Sequence, residues 1–114
     1  MAAKDRKQLV AEYKERPVSG GVFSIRNTVT GKQLIDCAVD LAGSRNRFEF
    51  SRQTGSAVTL KLQADWKRLG GDSFEFLILE ELKQGENQTA GEFKEDLKAL
   101  KALWLEKFSA EELY

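Results

Sequence analysis

Histidine is missing from this 114-residue chain, and that absence excludes more chemistry than any other feature of its composition. Without imidazole there is no side chain that ordinarily titrates near neutrality, no Cys–His nucleophile pair and no His metal ligand. Cysteine is nearly absent too. The lone Cys37 rules out an internal disulfide and a Cys metal cluster, and reads instead as a small thiol buried on a strand. No long apolar run exists: Leu77-Ile78-Leu79 is far too short to cross a bilayer, so no membrane partner is expected. No leading apolar segment marks secretion, and a cytoplasmic location is the default expectation. The glycine pairs Gly20-Gly21 and Gly70-Gly71 match no phosphate-binding loop. An excess of either charge is also lacking, with 18 basic and 18 acidic residues and a pI near 6.3, unlike a strong nucleic-acid binder.

What remains is ordinary for a soluble globular protein: 41% hydrophobic and 32% charged residues. The length predicts one domain, 1–114, with a core that needs no staples. The charge is unevenly spread. Residues 1–70 carry 13 Lys and Arg against 7 Asp and Glu, whereas residues 71–114 carry 5 against 11. Such a division fits either a basic surface beside an acidic flank or two halves that pair across the folded surface.

Two β-prone runs, residues 20–27 and 32–38, flank Thr28-Val29-Thr30-Gly31, a four-residue loop closed by glycine. That is a hairpin signal. Placing Asn27 and Lys32 at the loop ends pairs Ile25 with Leu34 and Phe23 with Asp36, on one face of the ribbon. Val22, Ser24, Ile35 and Cys37 take the other. Ahead of the hairpin, Leu9, Val10 and Tyr13 predict an amphipathic helix over 3–15, stopped by Pro17, as an N-terminal extension 1–17. Behind it, Asp40 caps a helix over roughly 41–53. Val58, Leu62, Trp66 and Leu69 mark a second helix ended by Gly70-Gly71. Residues 73–80 predict a strand apolar on both faces toward its end, as a strand covered by helices on both sides would be. Thr89 with Glu92 forms a capping box, and Phe93, Leu97, Leu100, Trp104 and Phe108 give the last helix its core stripe. The fold class is α+β: a small three-stranded antiparallel sheet flanked by helices, in the order α-β-β-α-α-β-α.

This ordered series resembles the GIY-YIG nuclease family over roughly residues 20–108. Gly21-Val22-Phe23 stands where the family has Gly-Ile-Tyr, and Leu34-Ile35-Asp36 where it has Tyr-Ile-Gly. Ile25-Arg26-Asn27-Thr28, Gly31-Lys32, Asp40-Leu41, the run Leu62 to Trp66 and the run Phe74 to Glu81 frame the match. The resemblance implies phosphodiester hydrolysis with one divalent metal, using hydroxyl and imidazole groups for proton transfer, an arginine for phosphate charge and one glutamate for the metal.

The residues at those positions cannot do this. Phe23 and Leu34 lack the tyrosine hydroxyls, and Asp36 puts a negative charge where backbone should approach a phosphate. The arginine position falls on Ser44, with Arg45 and Arg47 close by as candidate substitutes. The histidine positions fall on Phe48 and Ala57. The metal-binding glutamate becomes Lys101, whose ammonium has no lone pair to offer. Lys101 and Asp36 are expected to pair across the vacated site. The expectation is a catalytically inactive domain with no cofactor, binding DNA weakly, or a protein, through Arg45, Arg47, Arg52, Lys61, Lys67 and Arg68. Two alternatives stand beside it: an active endonuclease with a rebuilt site that uses Mg or Mn, and a purely structural protein-interaction domain. Nothing in the sequence sets an oligomeric state.

Overall fold

The computed structural model describes residues 19–114, so the helical extension read over 1–17 lies outside the described residues. Strand β1 (Ser19–Asn27) and strand β2 (Gln33–Ala38) form the hairpin, followed by helix α1 (Leu41–Thr54) and helix α2 (Leu60–Leu69). Strand β3 (Phe74–Lys83) and helix α3 (Ala90–Leu105) complete the order, with single 3-10 turns at Gly71–Ser73 and Ala110–Glu112. The sheet is antiparallel with β1 in the middle, in the order β2-β1-β3. The hairpin register pairs Ile25 with Leu34 and Phe23 with Asp36, as the four-residue loop requires.

Local chemistry sets the turn. Asn27 is fully buried, and its Oδ1 accepts the N–H of Val29 at 2.9 Å and of Thr30 at 3.2 Å. An Asx turn of this kind satisfies loop donors that would otherwise be orphaned. Gly31 closes the loop in the left-handed region at φ 81°. The helix ends follow their caps: Asp40 accepts from Gly43 N–H at the start of α1, and Thr89 with Glu92 forms the capping box of α3. Gly55 ends α1 at φ 79°, its N–H donating to Ser51 O.

Helices cover both faces of the sheet. On one face Phe23, Ile25, Leu34, Phe74 and Phe76 pack against Leu41, Phe48, Leu62 and Trp66 of α1 and α2. Five rings run through this layer without a break. Phe23 stacks on Phe76 at 4.9 Å, Phe76 meets Phe48 at 5.8 Å, Phe48 meets Trp66 edge-on at 5.9 Å, and Trp66 stacks on Phe74 at 4.6 Å. On the other face, Val22 and Ile35 are buried with Phe93 and Leu97 of α3.

Three expectations are corrected. The last strand runs on to Lys83, and its far end is not covered: Ile78 is 41% exposed. The core layer under α1 and α2 takes in Phe74 and Phe76 but not Ile78, and just beyond Ile78 a bulge leaves Leu79 unmatched, since Val22 pairs with Glu80 but Phe23 with Ile78. Val58 belongs to the connection before α2, which starts at Leu60, although it packs on the core. The α3 stripe is buried only at Phe93 and Leu97, the two of its residues in the helix's first half; Leu100 and Trp104 are half-buried, and Phe108 follows the helix end.

One tie joins distant parts of the chain. Tyr114 N–H donates to Gln33 O at 3.0 Å, and Leu113 bridges Gln33 in parallel. Asn27 Nδ2 donates to Tyr114 Oη at 2.8 Å, and Tyr114 Oη donates to Asp65 Oδ2 at 2.8 Å. The Arg68 hydrogen bond foremost, and then that of Tyr114, hold the Asp65 carboxyl below its ordinary 3.8. Burial keeps the Tyr114 phenol above its ordinary 10.0 and therefore protonated.

Two outcomes follow. A Cβ at Gly21, where φ is 156°, would stand 2.0 Å from Glu80 O. Gly21→Ala should therefore cost about 2–4 kcal/mol in urea unfolding, against about 1–2 kcal/mol for Gly31→Ala, which meets only left-handed strain. A carboxyl with a depressed folded-state pKa adds stability above its unfolded value and loses it as pH falls through the folded one. The stability gap between wild type and Tyr114→Phe should therefore be widest above pH 3.8 and narrow below it. A gap that stays constant from neutral pH to below that value would remove Tyr114 from the Asp65 network.

Candidate functional site

Because β2 is an outer strand, its C-terminal half borders open space, and a cleft of about 620 Å³ lies there. Phe23, Ile25 and Leu34 make an apolar floor. Ser44, Arg47 and Ser51 reach it from α1, and Ala57, Val58 and Thr59 from the connection before α2. Lys94, Leu97 and Lys98 close it from α3.

Five positions singled out from the sequence converge on this cleft: Phe23, Leu34, Asp36, Ser44 and Ala57. Hairpin pairing brings the first three together, and the cap at Asp40 sets α1 so that Ser44 faces them. Phe48 is not among the lining residues. It is 1% exposed, locked between Phe76 and Trp66 beneath the floor.

Lys101 lies one turn before Trp104 on α3, and its Nζ donates to Asp36 Oδ1 at 3.2 Å. The same oxygen accepts the Cys37 N–H at 2.8 Å. Asp36 is thus engaged by an ammonium and an amide, and the pair expected from the sequence is formed. These residues do not fit a divalent cation: Asp36 is already bound to an ammonium that repels a second cation, and the cleft's other carboxylate, Asp40, is engaged in capping α1. Cys37 offers no replacement chemistry. Burial foremost, then the Asp36 charge, pushes its thiol above the ordinary 9.0, so little reactive thiolate forms.

The six cations proposed for nucleic acid divide into groups. Arg47 lines the cleft, and Arg45 lies over the Phe76 ring at 5.6 Å. Lys61 and Lys67 are exposed on α2. Arg52, however, pairs with Glu49 at 3.3 Å and with Asp72 at 3.2 Å, and Arg68 pairs with Asp65 at 2.9 Å. Those two are tied to carboxylates of the chain's own surface, so the basic face is smaller than the sequence suggested. Lys94 and Lys98 are cleft residues that the reading missed. Their signal was present: Lys94, Lys98 and Lys101 recur at spacings of four and three, which places them in one stripe of a helix.

The Asp36–Lys101 pair is partly open to solvent, its side chains 46% and 34% exposed. A double-mutant cycle with Asp36→Asn and Lys101→Met should give a coupling of about 0–1 kcal/mol that shrinks as salt is added. Coupling that does not respond to salt would exclude an ionic pair as its source.

No protein-family model matches the chain, and no curated protein matches it. Among solved structures, the catalytic domain of the homing endonuclease I-TevI superposes with a TM-score of 0.62 at 23% identity. That alignment covers 83% of this chain and 95% of the other. A point mutant of the same intron endonuclease domain gives a TM-score of 0.59 at 23% identity, covering 79% and 84%. I-TevI is a GIY-YIG nuclease. A three-stranded antiparallel sheet with its first strand central and three helices about it thus gives this chain a GIY-YIG-like fold.

Proposed function

We propose that this chain is a catalytically inactive domain of GIY-YIG-like fold that acts as a binding module, with nucleic acid as the ligand its exposed cations suit. One observation carries the proposal. Phe23, Leu34, Ser44 and Ala57, at positions the resemblance assigns to catalysis, line a single cleft beside Asp36 and its partner Lys101, and each of them lacks the group the reaction needs. Phe23, Leu34 and Ala57 cannot transfer a proton, Ser44 cannot neutralise a phosphate, and Lys101 cannot hold a metal. Losing one general base costs on the order of 10²–10⁴ in rate. Losing an electrostatic stabiliser costs roughly 10²–10³. These losses are not additive where groups act as one unit, but their combination leaves no step of the reaction supported.

Support for nucleic acid comes from what the replacements left in place. Arg47 remains at the cleft, with Arg45, Lys61 and Lys67 on the helices behind the hairpin. The chains that share the fold are endonuclease domains. Attraction of this kind is ionic and sequence-independent, and with no net charge on the protein it is weak.

Fluorescence anisotropy with a labelled duplex tests the reading. Four phosphate contacts predict a slope of about −3 to −4 for log K against log salt. Removing two of them in Arg45→Ala with Arg47→Ala should flatten that slope by about two. Magnesium or manganese at millimolar levels should neither raise the melting temperature nor allow nicking of supercoiled plasmid. Cleavage in manganese that Asp36→Ala abolishes would establish a rebuilt active site instead, and absence of DNA binding at low salt would leave a protein-interaction module.

A further inference from the structure

We infer that the cleft beside β2 is a binding site for a small organic anion with an apolar body, of the type of a medium-chain or aromatic carboxylate. The inference goes beyond nucleic-acid binding and does not depend on it. The cleft's 620 Å³ lies within the range of small-molecule sites, which combine an apolar lining with a few placed polar groups.

Both parts are present. Phe23, Leu34, Ala57 and Leu97 offer a surface with no polar side-chain atom, so an aliphatic or aromatic body would shed water there. Phe50, 65% exposed, stands at the same cleft and would gain by being covered. The charged lining is cationic where it is unpaired. Arg47 and Lys94 have no ion-pair partner among the described residues, while Lys98 shares an exposed contact with Glu95. Of the two carboxylates, Asp36 is held by Lys101, and Asp40 accepts the Gly43 N–H at 3.1 Å. One further group awaits a partner. Thr59 Oγ1 is buried at the cleft without any hydrogen bond among the described residues. A head group carrying acceptor oxygens would give the cations, or that hydroxyl, the acceptor they lack.

Neither half of such a ligand suffices alone. An inorganic anion would leave the floor wet, and an uncharged chain would leave Arg47 and Lys94 without an acceptor. Duplex nucleic acid would use the same cations, but its bases are paired and stacked within the helix and offer the floor no apolar body.

The test is a titration of the full chain with decanoate, followed by amide shifts in two-dimensional NMR, with decan-1-ol and inorganic phosphate as parallel arms. Decanoate should produce saturable shifts centred on Leu34, Ala57, Val58 and Leu97. Decanol and phosphate should each bind at least about tenfold more weakly, since each lacks one half of the interaction. Arg47→Gln with Lys94→Gln, both on exposed helix positions, should weaken decanoate about tenfold while leaving the remaining spectrum intact. Should the double variant fail to fold, Lys94→Gln alone should show a smaller loss in the same direction. Shifts that centre elsewhere, equal binding of decanol, unchanged binding by the charge variants, or no shifts at millimolar decanoate would each overturn the inference.

Discussion

The unbroken contact of five aromatic rings, Phe23, Phe76, Phe48, Trp66 and Phe74, is what holds α1 and α2 to the sheet. Such rings bury large apolar areas, and offset or edge-on pairs each contribute about 0.5–1.5 kcal/mol beyond that burial. The chain has few other large side chains on this face. Leu41 and Leu62 fill in around the rings, but they bridge no two layers by themselves. Two members of the series, Phe23 and Phe48, stand where the resemblance to GIY-YIG nucleases places a tyrosine and a histidine. Residues of catalytic type at those two positions would need water, protons and some freedom to reorient. Phenylalanines there instead join a packed layer and draw their neighbours in.

This exchange links the fold to its function. A site that must admit a metal and a phosphate keeps polar atoms unsatisfied until its ligand arrives. Here the floor of the cleft is an extension of the core, and at its rim Asp36 is balanced by Lys101 while Arg47 and Lys94 pair with no carboxylate among the described residues. The two replacements make sense only together. Asp36 alone would leave a carboxylate facing the cleft, and Lys101 alone would bring an ammonium to an apolar strand edge. Their mutual contact is modest in energy, yet it leaves the Asp36 carboxylate already engaged by a cation.

Much of this could be read from residue order. Hairpin register followed from a four-residue loop with glycine at its end, and the helix caps from Asp40 and from Thr89 with Glu92, because these are short-range chemistries. The meeting of Phe23, Leu34, Asp36 and Ser44 was legible through the family resemblance. Other features depend on contacts that no local pattern encodes. The bulge at Leu79 arises from the pairing of β3 with β1, and Ile78 is exposed because the core layer under α1 and α2 stops at Phe76. Arg52 and Arg68 look as free as Lys61 in the sequence, and only the fold brings Asp72 and Asp65 beside them. Tyr114 reads as a residue past the last helix. That it closes a network with Asn27 and Asp65, 87 and 49 positions away, could not be anticipated from spacing.

The Asp36 carboxylate also has a bearing on how this sheet meets other molecules. β2 is an outer strand, and an outer strand carries backbone donors that could extend into a neighbouring chain. At one end of β2 the carbonyl of Gln33 is already taken by Tyr114. Toward the other end the Cys37 N–H is taken by Asp36, beside the charge of Lys101. The residue that displaced a glycine thus closes off a main-chain donor from strand-to-strand growth. That donor is held by the same carboxylate that binds Lys101, and Asp36→Gly would free it for pairing at the edge.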